Sequence, residues 1–224
     1  FPARAMFQII SPMVAKALNE NDNFTLLKLL KKSANNLLLI SGLLFLLINL
    51  NLNDFYTWVN LGDYNEALEV VIIVSLGKLF TISMGCLNNI ITNSKYYPYV
   101  FWFSVSSAIF AVVLNLYLIQ WYGLIGAAYA TLIVILLINF LKILLVQLKF
   151  KINPYSKNTL ITFGIIIFLY LTISKIPFDY VPFLSLVLRS ALIILTFSFL
   201  AYWFRLTLDV QKFLSKFLPF LKGP

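Results

Sequence analysis

The chain has 224 residues, of which 61% are hydrophobic and 11% charged, with a formal net charge of +9. Soluble domains carry roughly 45–50% apolar and about 25% charged residues, so these counts exclude an ordinary water-soluble domain and leave an integral membrane protein, all-α by the lengths of its apolar runs. With no histidine and one cysteine, Cys86, the chain has no means of His-based acid–base catalysis, a Ser-His-Asp triad, an internal disulfide or a multi-Cys zinc site, and no catalytic residue, metal or cofactor is expected.

The chain opens Phe-Pro-Ala-Arg, with no Met and no charged segment ahead of a short apolar core. It therefore reads as starting at an internal cut and not at a signal peptide. Ala5 to Ala15 has the look of a truncated transmembrane helix, residues 1–17, and 18–32 reads as a basic cytoplasmic loop. A bilayer core of about 30 Å takes roughly 20 helical residues to cross. On that measure Ser33 to Asn53 is the first full span, and Glu69 to Thr92 the second, interrupted only by Lys78. Tyr96 to Leu141 is uncharged and long enough for two spans, with a tight turn at Gln120-Trp121-Tyr122-Gly123. Asn158 to Ser174 and Leu184 to Arg205 follow. The expected fold is thus a polytopic helix bundle with six full spans, about 33–52, 69–92, 98–119, 124–146, 158–174 and 184–205, and a basic cytoplasmic tail over 206–224. That tail reads either as an amphipathic helix on the inner leaflet or as a disordered basic segment. Barrel strands are excluded because the runs do not alternate, and helices are what satisfies the backbone in lipid.

Charge orders these spans. Thirteen basic residues fall in one set of loops: Lys16, Lys28, Lys31 and Lys32; Lys95; Lys142, Lys149, Lys151 and Lys157; and Arg205, Lys212, Lys216 and Lys222. The alternate loops hold Lys175 alone, together with Asp54, Asp63, Glu66, Glu69 and Asp179. Lysine-rich loops stay inside, which puts the C-terminus in the cytoplasm. The same interleaving of basic residues with apolar runs argues against a nucleic-acid partner.

Two stretches carry a resemblance. One is SPMVAKALNENDNFTLLKLLKKSANN, residues 11–36: a helix end at Ser-Pro, a turn bearing Asn and Asp, then a basic amphipathic segment. The other is NNIITNSKYYPYVFWFSVSSAIFAVVLNLYLIQWYGLIGAAYATLI, residues 88–133, with a Ser-Lys-Tyr-Tyr loop and a Tyr-Gly-x-x-Gly-Ala-Ala-x-Ala-Thr opening. In order and spacing these resemble the C-terminal half of the polysaccharide (O-antigen and capsule) flippases of the multidrug/oligosaccharidyl-lipid/polysaccharide superfamily. The resemblance implies a second helix bundle with two additional C-terminal helices. It also implies alternating access, and flipping of an undecaprenyl pyrophosphate-type oligosaccharide across a bacterial inner membrane. Membrane lipids and other polysaccharide-assembly proteins are the implied partners.

The candidate cavity residues are Lys78, Arg4, Asn88, Asn89 and Thr81. Lys78 lies about nine residues into its span, where a charge on an isolated helix costs about 2.5–3.5 kcal/mol on insertion scales. It reads either as a cavity cation for a pyrophosphate or as a buried or snorkelling structural lysine, and Glu69, roughly 13 Å along the helix, is a poor partner. Thr81, Asn88 and Asn89 belong to a polar run that either lines water or packs helices. Arg4 resembles a basic residue common at this point in the family, with a snorkelling role equally open. Arg189 reads as snorkelling outward. Asn115 and Thr131 read as interhelical hydrogen-bond formers, and Gly123, Gly126, Ala127, Ala128 and Ala130 as a close-packing face. Three other functions compete with the flippase. A cation-coupled multidrug exporter of the same fold calls for a deep carboxylate; a glycan polymerase or ligase calls for a large outer loop; a structural membrane subunit calls for neither.

Overall fold

The computed structural model describes residues 2–60, 65–177 and 181–206, and every element among them is a helix. Helix α1, Pro2–Asn19, runs through Pro12 instead of ending at Ser11-Pro12. Proline lacks the N–H that would close a turn there. The apolar stripe Ile10, Val14 and Ala17 nonetheless continues across it and is buried against Leu26 and Leu30.

The turn after α1 is short. Asn21 takes a left-handed φ of 53°, and the Asp22 side chain accepts from the Thr25 amide at 3.0 Å, capping α2. The Thr25 hydroxyl and amide lower the Asp22 carboxyl below its ordinary value. Residues 23–32, expected as loop, are therefore the first turns of α2, Asn23–Val59. At 37 residues α2 is about 55 Å long, well beyond a hydrocarbon core.

Helix α3, Asn65–Ser83, stops short of the expected span end at 92. Gly85 takes φ +61° and leads into a separate six-residue helix α4, Leu87–Thr92. The break is held from α2: the Ser33 hydroxyl accepts the Cys86 amide at 2.9 Å while donating to the Leu30 carbonyl at 3.0 Å.

Helix α5, Pro98–Phe150, is two limbs joined at Gly123, whose φ of 55° and ψ of −131° are not helical. The limbs fold back on one another. Tyr96, just before the first limb, meets Phe150, at the end of the second, edge-to-face at 5.6 Å. A Cβ at Gly126 would lie 2.1 Å from the Leu118 carbonyl oxygen, so the small residues after the turn allow the limbs to close. Helix α6, Lys157–Ile173, starts with a reciprocal cap between Ser156 and Thr159, and α7 runs Pro182–Trp203.

Three of these helices, Asn23–Val59, Pro98–Phe150 and Pro182–Trp203, are long and apolar enough to cross a membrane. The expected six full spans are not met by that measure. The α6 helix has 17 residues, and the 19 of α3 include Glu66, Glu69 and Lys78. The expected tail helix lies outside the described residues, as do Asp63 and Asp179.

Helix α2 is the central post, packing on α1, α3, α6 and α7, while α3 and α4 carry the α5 hairpin. Two apolar clusters divide its length. One joins Leu38, Leu46 and Leu50 to α6 and α7. The other joins Leu26 and Leu30 to α1, α4, Ile143, Val146 and Ile152. The second cluster gathers the 14–30, 84–91 and 143–152 segments at one end, so the Lys-rich connections share that end. Asn158 donating to the Leu206 carbonyl at 3.0 Å brings the end of α7 there too. At the opposite end Trp58 and Phe183 rings lie 5.5 Å apart.

Candidate functional site

Lys78 stands on an open groove of about 440 Å³ between α2 and α3. Its walls are Ser41, Leu44, Phe45 and Ile48 from α2, and Val70, Val71, Val74, Ser75, Leu79 and Ile82 from α3. None of the lining residues is acidic, and Lys78 is the single charge among them. The Lys78 side chain is exposed, and no ion pair or hydrogen bond to it occurs among the described residues.

The sequence orients α3 so that this lysine faces outward. On the neighbouring face Gly77 sits against Leu132 and Ile135 of α5. The Thr81 hydroxyl accepts from Asn139 at 2.9 Å and donates to the Gly77 carbonyl at 2.9 Å. Toward α2, Ser75 and Asn49 are joined by an amide-to-hydroxyl bond of 2.9 Å. With α3 tied on both flanks, the remaining direction for residue 78 is the groove. Both of Thr81's hydrogen-bond roles are spent on helix packing, and it does not line the groove.

Asn88 and Asn89 lie on α4, beyond the Gly85 break, and Arg4 on the first turn of α1. Asn89 donates to the Phe7 carbonyl of α1 at 3.4 Å, and Asn93 donates to Ser11 Oγ at 3.2 Å. Asn88 and Arg4 are exposed. The five candidates thus divide into Lys78 in its groove, Thr81 at the α3–α5 contact, Asn89 at the α1–α4 contact, and the exposed Asn88 and Arg4 on α4 and α1.

Arg189 does not snorkel. Its Nη1 lies 2.7 Å from Asp54 Oδ2 and donates to the Leu50 carbonyl at 2.7 Å, with 14% and 16% exposure for the two side chains. Next to it Asn51 donates to Ser190 Oγ at 3.1 Å. Asn115 and Thr131 bond within their own helix, to the Ala111 and Ala127 carbonyls, not across helices. Besides Asn89 and Asn93, the amides that cross between helices include Asn35, Asn49, Asn51, Asn139 and Asn158. In the α5–α6 connection burial pushes the Tyr155 phenol up, against the opposing effect of its contact with Ser83.

A second cavity, of about 390 Å³ and wholly apolar, lies among α2, α3, α5 and α6, with Phe45, Leu79, Leu136 and Ile166 in its walls. Compared with protein-family models, characterised proteins and solved structures, the chain matches none.

Proposed function

We propose that this chain is part of an alternating-access transporter that moves a lipid-linked anionic oligosaccharide across a bacterial inner membrane, with Lys78 meeting the pyrophosphate or an acidic sugar. One observation carries the reading: a lone ammonium on an exposed groove that is otherwise uncharged, far along a hydrophobic helix. A cation placed at that depth needs a compensating anion or water. An anionic substrate supplies one, and a positive groove raises its local concentration.

The proposal includes six crossings. The two limbs of α5 cross separately, α3 with α4 makes one passage, and α6 makes a short one, with the Lys-rich end in the cytoplasm. Arg4, Asn88 and Asn89 then lie nearer the cytoplasmic mouth than Lys78. A cation-coupled exporter of drug-like cations is the competing reading, and the absence of any carboxylate in the groove lining weighs against it.

The test is Lys78→Ala in the full-length protein. Loss of one charge-assisted contact is expected to lower surface polysaccharide about tenfold at unchanged protein level, with Lys78→Arg retaining most of it. Undiminished glycan export in Lys78→Ala would remove the groove from the mechanism. Accumulation of a cationic drug in the variant, with glycan intact, would favour the exporter.

A further inference from the structure

At the Lys-rich end, two ammonium groups converge on one aromatic ring. Lys95 Nζ lies 5.4 Å, and Lys149 Nζ 5.6 Å, from the centroid of Tyr96. These lysines come from opposite ends of the α5 hairpin, brought together where its limbs close. The ring packs against Phe150 with the two planes at 90°, and the Tyr96 amide donates to Ser94 Oγ at 3.2 Å. Neither lysine has a carboxylate partner among the described residues.

A ring attracts a cation to its face, yet two cations on one ring repel each other. An anion bound at these ammonium groups offsets that repulsion and accepts hydrogen bonds from them. Of the backbone donors there, the Tyr97, Tyr99 and Val100 amides are already bonded to the Ser94, Tyr96 and Tyr97 carbonyls. The surroundings fix the kind of anion. Tyr97 is 64% exposed and Leu148 68% exposed, so the charged pair is flanked by bare apolar and aromatic surface. Phosphate next to apolar surface at a membrane interface is the chemistry of a phospholipid, for which a basic pocket between helix ends suffices.

We propose that Lys95, Lys149 and Tyr96 form a binding site for the phosphate of an anionic phospholipid, its acyl chains lying along the flank of the α5 hairpin. The site stands apart from the Lys78 groove and does not rest on the transport reading.

The full-length protein, reconstituted in phosphatidylcholine bilayers, is titrated with spin-labelled phosphatidylglycerol and, separately, spin-labelled phosphatidylcholine. The Lys95→Gln/Lys149→Gln variant is expected to bind the anionic label about tenfold more weakly, with phosphatidylcholine unchanged. Lys95→Arg/Lys149→Arg is expected to hold it, and Lys28→Gln/Lys31→Gln to change it less than the Lys95/Lys149 pair does. Undiminished phosphatidylglycerol association in the Gln pair, or equal losses for both lipids, overturns the site. Displacement of the label by millimolar inorganic phosphate overturns its assignment to a lipid. If the Gln pair does not fold, Tyr96→Leu in the same titration decides: a selective loss of the anionic label supports the site, and none refutes it.

Discussion

Arg189 and Asp54 illustrate how one side chain's environment decides its role. The sequence places Arg189 a few residues inside a hydrophobic run, where a long stem reaching for water is the economical solution. In the folded chain the guanidinium instead finds a carboxylate and a carbonyl on α2, each at 2.7 Å. Both charged groups are mostly withdrawn from solvent, so removing one leaves the other uncompensated. Arg189→Leu is expected to destabilise the protein by about 3–5 kcal/mol, and the Asp54→Asn/Arg189→Leu pair by distinctly less; thermal unfolding of the purified protein measures both. With Asp54→Asn measured as the second single variant, a loss for the pair equal to the sum of the two single losses would mean that the charges are not coupled. The same logic separates the asparagines. Asn115 and Asn139 have the same side chain in the two limbs of α5, but only Asn139 lies on the face turned to α3, where it reaches Thr81. Residue type gave the capacity for a bond, and rotation about the helix axis decided whether a partner stood opposite. Lys78 was legible as a candidate because charge in an apolar run is conspicuous in any sequence. Thr81, Asn88 and Asn89, judged by local density of polar residues, turned out to belong to different contacts.

Among the elements, the two glycine breaks contrast. At Gly123 glutamine, interfacial aromatics and glycine coincide in the middle of a run too long for one crossing, and the reversal falls there. At Gly85 the run carries no charge, and its polar residues Thr81, Ser83, Asn88 and Asn89 read as the lining or packing face of one span over 69–92, not as its interruption. The cause of the break is tertiary: Ser33, more than fifty positions earlier, takes the Cys86 amide, and α2 approaches so closely that a Cβ at Gly85 would lie 2.5 Å from the Ala34 nitrogen. Gly85→Ala therefore combines an unfavourable φ with a backbone clash. It is expected to cost about 1–3 kcal/mol, read as a lowered melting temperature. Gly164→Ala, with nothing within 4 Å of the new methyl, is the matched control and is expected to be neutral or slightly stabilising. The start of α2 escaped the sequence reading for a related reason. Lys28, Lys31 and Lys32 give residues 23–32 the composition of a loop, while Leu26 and Leu30 on the opposite side are buried against α1.

Across the whole molecule, helix class and the apolar character of the elements were legible from composition alone, because an apolar chain with so few charges has few ways to satisfy its backbone. The number of crossings was less so: length and composition single out three helices, and the rest depends on how breaks and short helices are counted. The proposed topology is tested by single cysteines. Cys86 is fully buried and gives a silent background. With a membrane-impermeant maleimide, Lys175→Cys is expected to react on intact cells and Lys95→Cys only after permeabilisation; the reverse pattern would invert the orientation. The hairpin built around Gly123 has a bearing on how such a protein is made. Between Lys95 and Lys142 the chain carries no charge, and its two limbs are already joined by a closed turn. In the proposed topology the pair leaves a translocation channel for lipid as one unit, and of the tip only Gln120, the polar ends of Trp121 and Tyr122 and a few backbone groups have to be carried through the bilayer.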